Sequence, residues 1–167
     1  MGDRRVEDAD RGEPRWLDER ERAAWLGAVA LMLKVPAALD AQLTKSAELT
    51  MFEYLLLARL SEQPDRRVRM STPAVLTNGS LSRLSHVADR LEKRGLLCRH
   101  RDPQNVRYLM AVLTTEGYDL VVKAAPGHVE AVRELVIDAL SADQLLALKD
   151  LGAHVLARLD PETSWPP

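Results

Sequence analysis

Apolar residues recur at helical spacing from about Trp16 to Lys45, where Trp25, Val29, Met32, Leu33, Leu39 and Leu43 mark one face. Pro36 lies inside this stretch and is expected to kink or split it, since proline removes a backbone donor and crowds the preceding turn. A second helix start is marked by Thr50 and Glu53, the two ends of a capping box, with Leu49 and Tyr54 placed to form a hydrophobic staple around it. Leu55, Leu56, Leu57 and Leu60 follow on more than one face, which predicts a central, buried helix. It should stop before Gln63-Pro64-Asp65, a turn signal.

A short segment, Ser71 to Leu76, precedes Asn78-Gly79, whose residues tolerate the positive φ of a tight turn, and Ser80, which is suited to cap the next helix. That helix is predicted over Leu81 to Arg94. On a wheel of 100° per residue Leu81, Val87, Ala88 and Leu91 all lie within about 60° of Leu84. Ser82, His86, Asp89 and Lys93 occupy the opposite pole, with Arg83, Arg90 and Arg94 on one flank and Ser85 on the other. Gly95 supplies a left-handed cap. The period then changes to two: strands are expected over Leu96 to Arg101 and Tyr108 to Leu113, joined by a turn at Asp102-Pro103-Gln104-Asn105. Thr114 should cap a helix bent or interrupted at Pro126-Gly127, and a second capping box, Ser141 with Gln144, opens a last helix through Leu145, Leu148, Leu151, Val155 and Leu159. Helix, tight turn, helix and hairpin in this order make a winged helix-turn-helix. The fold class is therefore mainly α with a small β-hairpin.

Composition changes the picture in one respect. With 167 residues, 46% hydrophobic and 29% charged, the chain is an ordinary globular one. No unbroken apolar run approaches the roughly 20 residues of a membrane span, and the charged N-terminus lacks a signal-peptide core, so a cytoplasmic protein with no membrane partner is expected. The net charge of -2 conceals ten Lys/Arg against four Asp/Glu between Pro64 and Arg107, a local balance of +6. A basic middle between acidic ends is the footprint of a protein that meets a polyanion through one segment.

The basic segment coincides with the helix and hairpin that would read DNA. An α-helix fits the major groove of the duplex. Arg83 is suited to a guanine edge or a phosphate, Ser82 and Ser85 to phosphates or bases, and His86, Arg90 and Lys93 to phosphates. Ser80 at the helix start would aim free N–H groups and the positive end of the dipole at phosphate. Asp89 is unfavourable beside DNA unless paired, for which Arg90 and Lys93 are the near candidates. In the hairpin Arg101, Asn105 and Arg107 are wing contacts, arginine being suited to the narrow minor groove. For Arg99 a structural pairing and a DNA contact stay equally open. The bland alternatives are a solvated amphipathic helix face and a charged hairpin edge that blocks edge-to-edge pairing.

The run Ser80-Leu81-Ser82-Arg83-Leu84-Ser85, with Asp89-Arg90-Leu91-Glu92 and Gly95-Leu96, resembles the recognition helix of the MarR (multiple antibiotic resistance regulator) family. The hairpin from Asp102-Pro103 to Val112-Leu113-Thr114-Thr115-Glu116-Gly117 resembles the same family's wing and exit. The resemblance covers about residues 16–160. It implies a winged-helix transcriptional regulator, most often a repressor, working as a homodimer on double-stranded DNA with a near-palindromic operator. It also implies that the N- and C-terminal helices make the dimer interface and that a small lipophilic or phenolic effector releases DNA. Residues 1–15, polar and mixed in charge with nothing to bury, are expected to be a mobile arm, and 161–167, with two terminal prolines, a tail. The DNA-binding lobe would span about 48–114, and the dimerisation helices about 16–45 and 115–159. The wing departs from the family's Asp-x-Arg pattern: Asn105-Val106-Arg107 lacks the aspartate and one charge, which predicts weaker or more salt-sensitive binding. Leu81, Pro73 and Thr77 are further departures.

Other residues point to no further chemistry. Cys98 is the one cysteine, expected as a buried strand residue, with a redox sensor assisted by Arg99 and His100 as the alternative. His86, His100, His128 and His154 share no metal-ligand spacing, so no metal or other cofactor is expected. Trp16 and Trp25 are expected in the dimer interface rather than in an effector pocket, whose place no pattern marks. With no nucleophile elbow or phosphate loop, an enzyme is not expected. The remaining rival is a winged helix that binds an acidic protein.

Overall fold

The protein, described by a computed structural model, is placed over residues 14–70 and 81–159, with only the backbone of Leu81 and Arg83. Ser80, the Asn78-Gly79 turn and the Ser71–Leu76 segment lie outside the described residues, as do the arm up to residue 13 and the tail from residue 160. The elements are α1 (Glu19–Ala47), α2 (Met51–Ser61), β1 (Arg67–Arg69), α3 (Leu81–Lys93), β2 (Leu97–Arg101), β3 (Leu109–Leu113), α4 (Thr115–Val132), a π-helical turn (Arg133–Ile137) and α5 (Ala142–Leu159). The chain divides into two units, residues 1–34 and 35–167.

The first unit holds the beginning of α1. Asp18 starts the helix: its Oδ1 accepts from Glu21 N–H at 2.8 Å while Glu21 Oε2 accepts from Asp18 N–H at 3.0 Å, a reciprocal cap. Trp16, Trp25, Leu26, Leu31, Met32 and Leu33 are all exposed, Trp16 to 82%. Of the two outcomes expected at Pro36, the split does not occur: α1 passes it as one helix, and it contains an 18-residue window of mean hydropathy 1.4. By length and composition it could cross a membrane, which counting unbroken runs did not reveal; Lys34, Pro36 and Asp40 are what interrupt the run.

The second unit contains the core. Helix α1 ends where Glu48 turns left-handed at φ 55°, delivering Leu49 into the interior. The capping box forms as expected: Thr50 Oγ1 accepts from Glu53 N–H at 3.2 Å, and Glu53 Oε2 accepts from Thr50 N–H at 2.8 Å. Leu56, Leu57 and Leu60 of α2 then meet Leu84 and Leu91 of α3, all at 0% exposure, over the inner face of the sheet. Each fully buried side chain of this size contributes about 1.5–3 kcal/mol toward docking α3 on the core. The sheet is antiparallel in the order β1-β3-β2, with Val68 opposite Ala111 and Leu97 opposite Leu113 on the buried face. The third strand, β1, was not anticipated.

The strands hand over to α4 through one tight joint. Gly95 is left-handed at φ +72°, and its carbonyl accepts from Thr114 Oγ1 at 2.7 Å. The same hydroxyl caps α4 by accepting from Gly117 N–H at 3.0 Å. A Cβ at Gly117 would stand 2.0 Å from the Leu96 carbonyl oxygen and 2.8 Å from Leu113 Cδ1. The glycine in the Leu-Thr-x-x-Gly exit is thus required by close approach of backbone to backbone. The helix is not interrupted at Pro126-Gly127: α4 runs through it and gives way to the π-helical turn at Arg133. The second capping box forms, with Ser141 N–H reaching Gln144 Oε1 at 2.8 Å and Gln144 N–H reaching Ser141 Oγ at 3.3 Å. Gly117→Ala should cost about 1–3 kcal/mol, the usual cost of forced overpacking. An unchanged urea midpoint would contradict this account of the joint.

Candidate nucleic-acid interface

Helix α3 turns Leu84, Val87, Ala88 and Leu91 inward, which leaves Ser82, His86, Arg90 and Lys93 exposed and Ser85 half-buried. Two ionic ties fix how that outer face is presented. On one flank, Arg90 Nε donates to Glu53 Oε1 at 3.1 Å. Glu53 is only 5% exposed, and its other oxygen already accepts from the backbone N–H and the hydroxyl of Thr50. The carboxylate that caps α2 therefore also anchors α3.

On the other flank Arg99 of β2 forms a clamp. Its Nη2 donates to Asp89 Oδ1 and Glu92 Oε2, each at 2.6 Å, and its Nε to Glu92 Oε2 at 3.0 Å. Its backbone N–H reaches Glu92 Oε1 at 2.8 Å. The bonds from Arg99 hold the Glu92 carboxyl below its usual range, against a smaller opposing effect of burial; the same bonds raise Arg99. Of the two readings left open for Arg99, structural pairing is the one realised. The expected pairing of Asp89 with Arg90 or Lys93 does not occur: Arg90 is held by Glu53, and β2 brings Arg99 alongside Asp89 instead.

The wing tip is shaped by local bonds. Asp102 N–H donates to Tyr108 O at 3.0 Å, and Asn105 Oδ1 accepts from Arg107 N–H at 3.1 Å. Asn105 thus sets the backbone at the tip, while the Arg107 side chain stands exposed beside it. Arg101 Nη1 donates to the Val106 carbonyl at 3.3 Å and braces the same turn. Cys98, expected to be buried, is exposed, because strand alternation sends its neighbour Leu97 inward.

Two concavities flank α3. One, of about 490 Å³, brings together Ser82, His86 and Arg90 with Asp40, Thr50 and Phe52; Asp40 Oδ1 there accepts from Met51 N–H at 2.7 Å. The other, of about 420 Å³, lies toward the wing and is lined by Ser85, Arg107, Arg69, Tyr108, Met70, Leu84 and Leu109. The expected residues thus fall into two groups, one on each flank of α3, with Lys93 exposed farther along the helix and Arg101 and Asn105 in the wing. The position of Ser80 and the side chain of Arg83 lie outside the described residues. Arg69 was missed; the alternation Arg67-Val68-Arg69 that marks it is only three residues long.

This arrangement has close structural counterparts. Sco3205, a MarR family transcriptional regulator from Streptomyces coelicolor solved in complex with DNA, is 38% identical. Its TM-score is 0.84, with 90% of this chain and 94% of that one covered. The chain belongs to the MarR family. AbsC, another MarR family regulator from the same organism, is 35% identical with a TM-score of 0.85, over 89% of this chain and all of that one. Among curated relatives, the transcriptional repressor MprA of Escherichia coli is 26% identical over 107 residues. That alignment covers 64% of this chain and 60% of the relative, so the chain matches about three fifths of MprA's length. No protein-family model matches the sequence.

In this MarR family member the Arg99 clamp has a pH signature. A carboxyl whose folded pKa is depressed contributes stability that is whole above the unfolded value, about 4.3 for Glu, and is lost as pH falls through the folded value. Glu92 is one-third exposed, so the contribution is screened; Arg99→Met should cost roughly 1 kcal/mol at neutral pH. The gap between variant and parent should be whole above about pH 4.3 and close as pH falls below it through the depressed folded value. A gap independent of pH would contradict the assignment.

Proposed function

We propose that the chain is a homodimeric, sequence-specific DNA-binding transcriptional regulator acting in the cytoplasm, and that it represses. The observation that carries this is the outer face of α3, held by Glu53–Arg90 on one flank and Arg99–Asp89/Glu92 on the other, beside a wing with Arg107 exposed at its tip. Ser82, Ser85, His86 and Lys93 would face the major groove or its phosphates, joined by Arg90's remaining donors and by Ser80 and Arg83. Arg101, Asn105 and Arg107 would serve the wing in the minor groove. The DNA in the Sco3205 structure and the repressor activity in MprA's name support the reading.

The dimer accounts for apolar surface that a lone chain leaves in water. Besides the exposed residues of α1, Leu135 precedes α5, and Leu148, Leu151, Val155 and Leu159 stand exposed along it. A second copy covering these faces explains them without lipid, and the charged Lys34 and Asp40 in α1 favour a protein partner over a bilayer. Dimer geometry would set the separation of the two α3 helices. A small lipophilic or phenolic effector would act by binding the DNA-incompetent arrangement more tightly.

Selection from a pool of randomised duplexes, with sedimentation of the complex in the absence of detergent, tests the proposal. A near-palindromic site with half-sites about 10 base pairs apart, bound by two copies, is expected. Arg107→Ala should weaken binding to it roughly tenfold, or about 1.4 kcal/mol. No enriched sequence, or binding by a single copy, would contradict the reading.

A further inference from the structure

We propose that Arg69 and Tyr108 form a phosphate clamp at the foot of the wing, a DNA-backbone contact that belongs to neither the α3 face nor the wing tip. The proposal rests on the DNA reading above and extends it to a strand, β1, that has so far had only a structural part. In β1 the central Val68 enters the core while Arg67 and Arg69 point outward. Arg69 pairs with Met110 of β3, so Tyr108, two residues earlier, is its diagonal neighbour on the same sheet face. The guanidinium carbon sits 4.0 Å from the centroid of the Tyr108 ring.

Stacking occupies the flat face of a guanidinium and leaves its N–H donors directed outward in its plane, the geometry that grips a phosphate with two bonds. Several other cations of the basic segment are already engaged. Arg67 pairs with Asp65, Arg90 with Glu53 and Arg99 with Asp89 and Glu92, and Arg66 lies over the Tyr118 ring. No ion pair ties Arg69 to another described residue. Its guanidinium is thus oriented by a ring rather than neutralised by a carboxylate.

The position of the pair supplies the ligand. Arg69 and Tyr108 line the concavity of about 420 Å³ whose other lining residues include Ser85 of α3 and Arg107 of the wing. Major and minor grooves are separated by one sugar–phosphate strand. A protein with a helix in one and a hairpin in the other must let that strand pass between them, across this opening. The apolar Met70, Leu84 and Leu109 suit the sugar, and Arg69 suits the phosphate. A contact of this kind holds the duplex in register and is indifferent to base sequence.

The test is affinity for two duplexes, the selected site and an unrelated mixed sequence, each across a series of salt concentrations. Arg69→Gln should weaken binding to both duplexes by a similar factor, roughly tenfold at low salt, and reduce the salt slope by about 0.9 per subunit. Tyr108→Leu, which leaves β1 untouched and carries the same expectation if Arg69→Gln folds poorly, should lose more affinity than Tyr108→Phe, which keeps the ring face. If the parent and Arg107→Ala behave as described above while Arg69→Gln keeps full affinity and slope, the clamp is wrong and the DNA reading stands. Loss confined to one duplex would assign Arg69 to base reading and also overturn the clamp. A parent that binds neither duplex removes both.

Discussion

The buried Glu53 carboxylate is the point on which the reading lobe depends. A charge with 5% exposure is tolerable only when its lone pairs are occupied, and here Thr50 and Arg90 occupy them. Because those donors belong to two helices, satisfying the carboxylate also sets the rotation of α3 against α2. Hydrophobic burial of Leu84, Val87, Ala88 and Leu91 selects which face turns inward but is nearly indifferent to small rotations and slides. The directional bonds of Glu53 on one side, and of Arg99 on the other, supply the angular precision that the proposed groove-reading role of α3 would need.

This changes how the basic segment is understood. Its charge excess in sequence looks like a uniform cationic stripe, yet Arg90 and Arg99 are committed to internal carboxylates and Arg94 to the carbonyl of Glu48 at 2.8 Å. The cations left wholly free for a partner are fewer than the sequence suggests; among the described residues they include Arg69 at the foot of the wing, Arg107 at its tip and Lys93 on α3. Part of the segment's charge builds the scaffold, and the remainder is displayed by it.

Much of this was legible from sequence because it rests on local rules. The wheel of α3, the two capping boxes, the Gly95 cap and the hairpin all depend on residues within a few positions of one another. What escaped depends on packing. β1 is three residues long, too short for a period to register, and exists because β3 offers it an edge. Asp89 finds Arg99 only through the packing of β2 along α3, which no spacing in the chain encodes. Pro36 and Pro126 do not break their helices, since both lie on exposed faces where the lost backbone bond faces solvent. The exposure of Cys98 did follow from alternation, but its hydrophobic character suggested the opposite face. Gly117 could be recognised by its place in a motif, whereas its reason, the Leu96 carbonyl against it, is visible only in three dimensions.

A crystal structure of the protein on its selected duplex tests the central claim most directly. The account predicts α3 in the major groove with Ser82, Ser85 and His86 toward the DNA, Glu53–Arg90 and Arg99–Asp89/Glu92 intact, and the wing in the adjacent minor groove. A complex in which the outer face of α3 points away from the duplex, or in which both ionic ties have opened to let Arg90 and Arg99 reach it, would contradict the account.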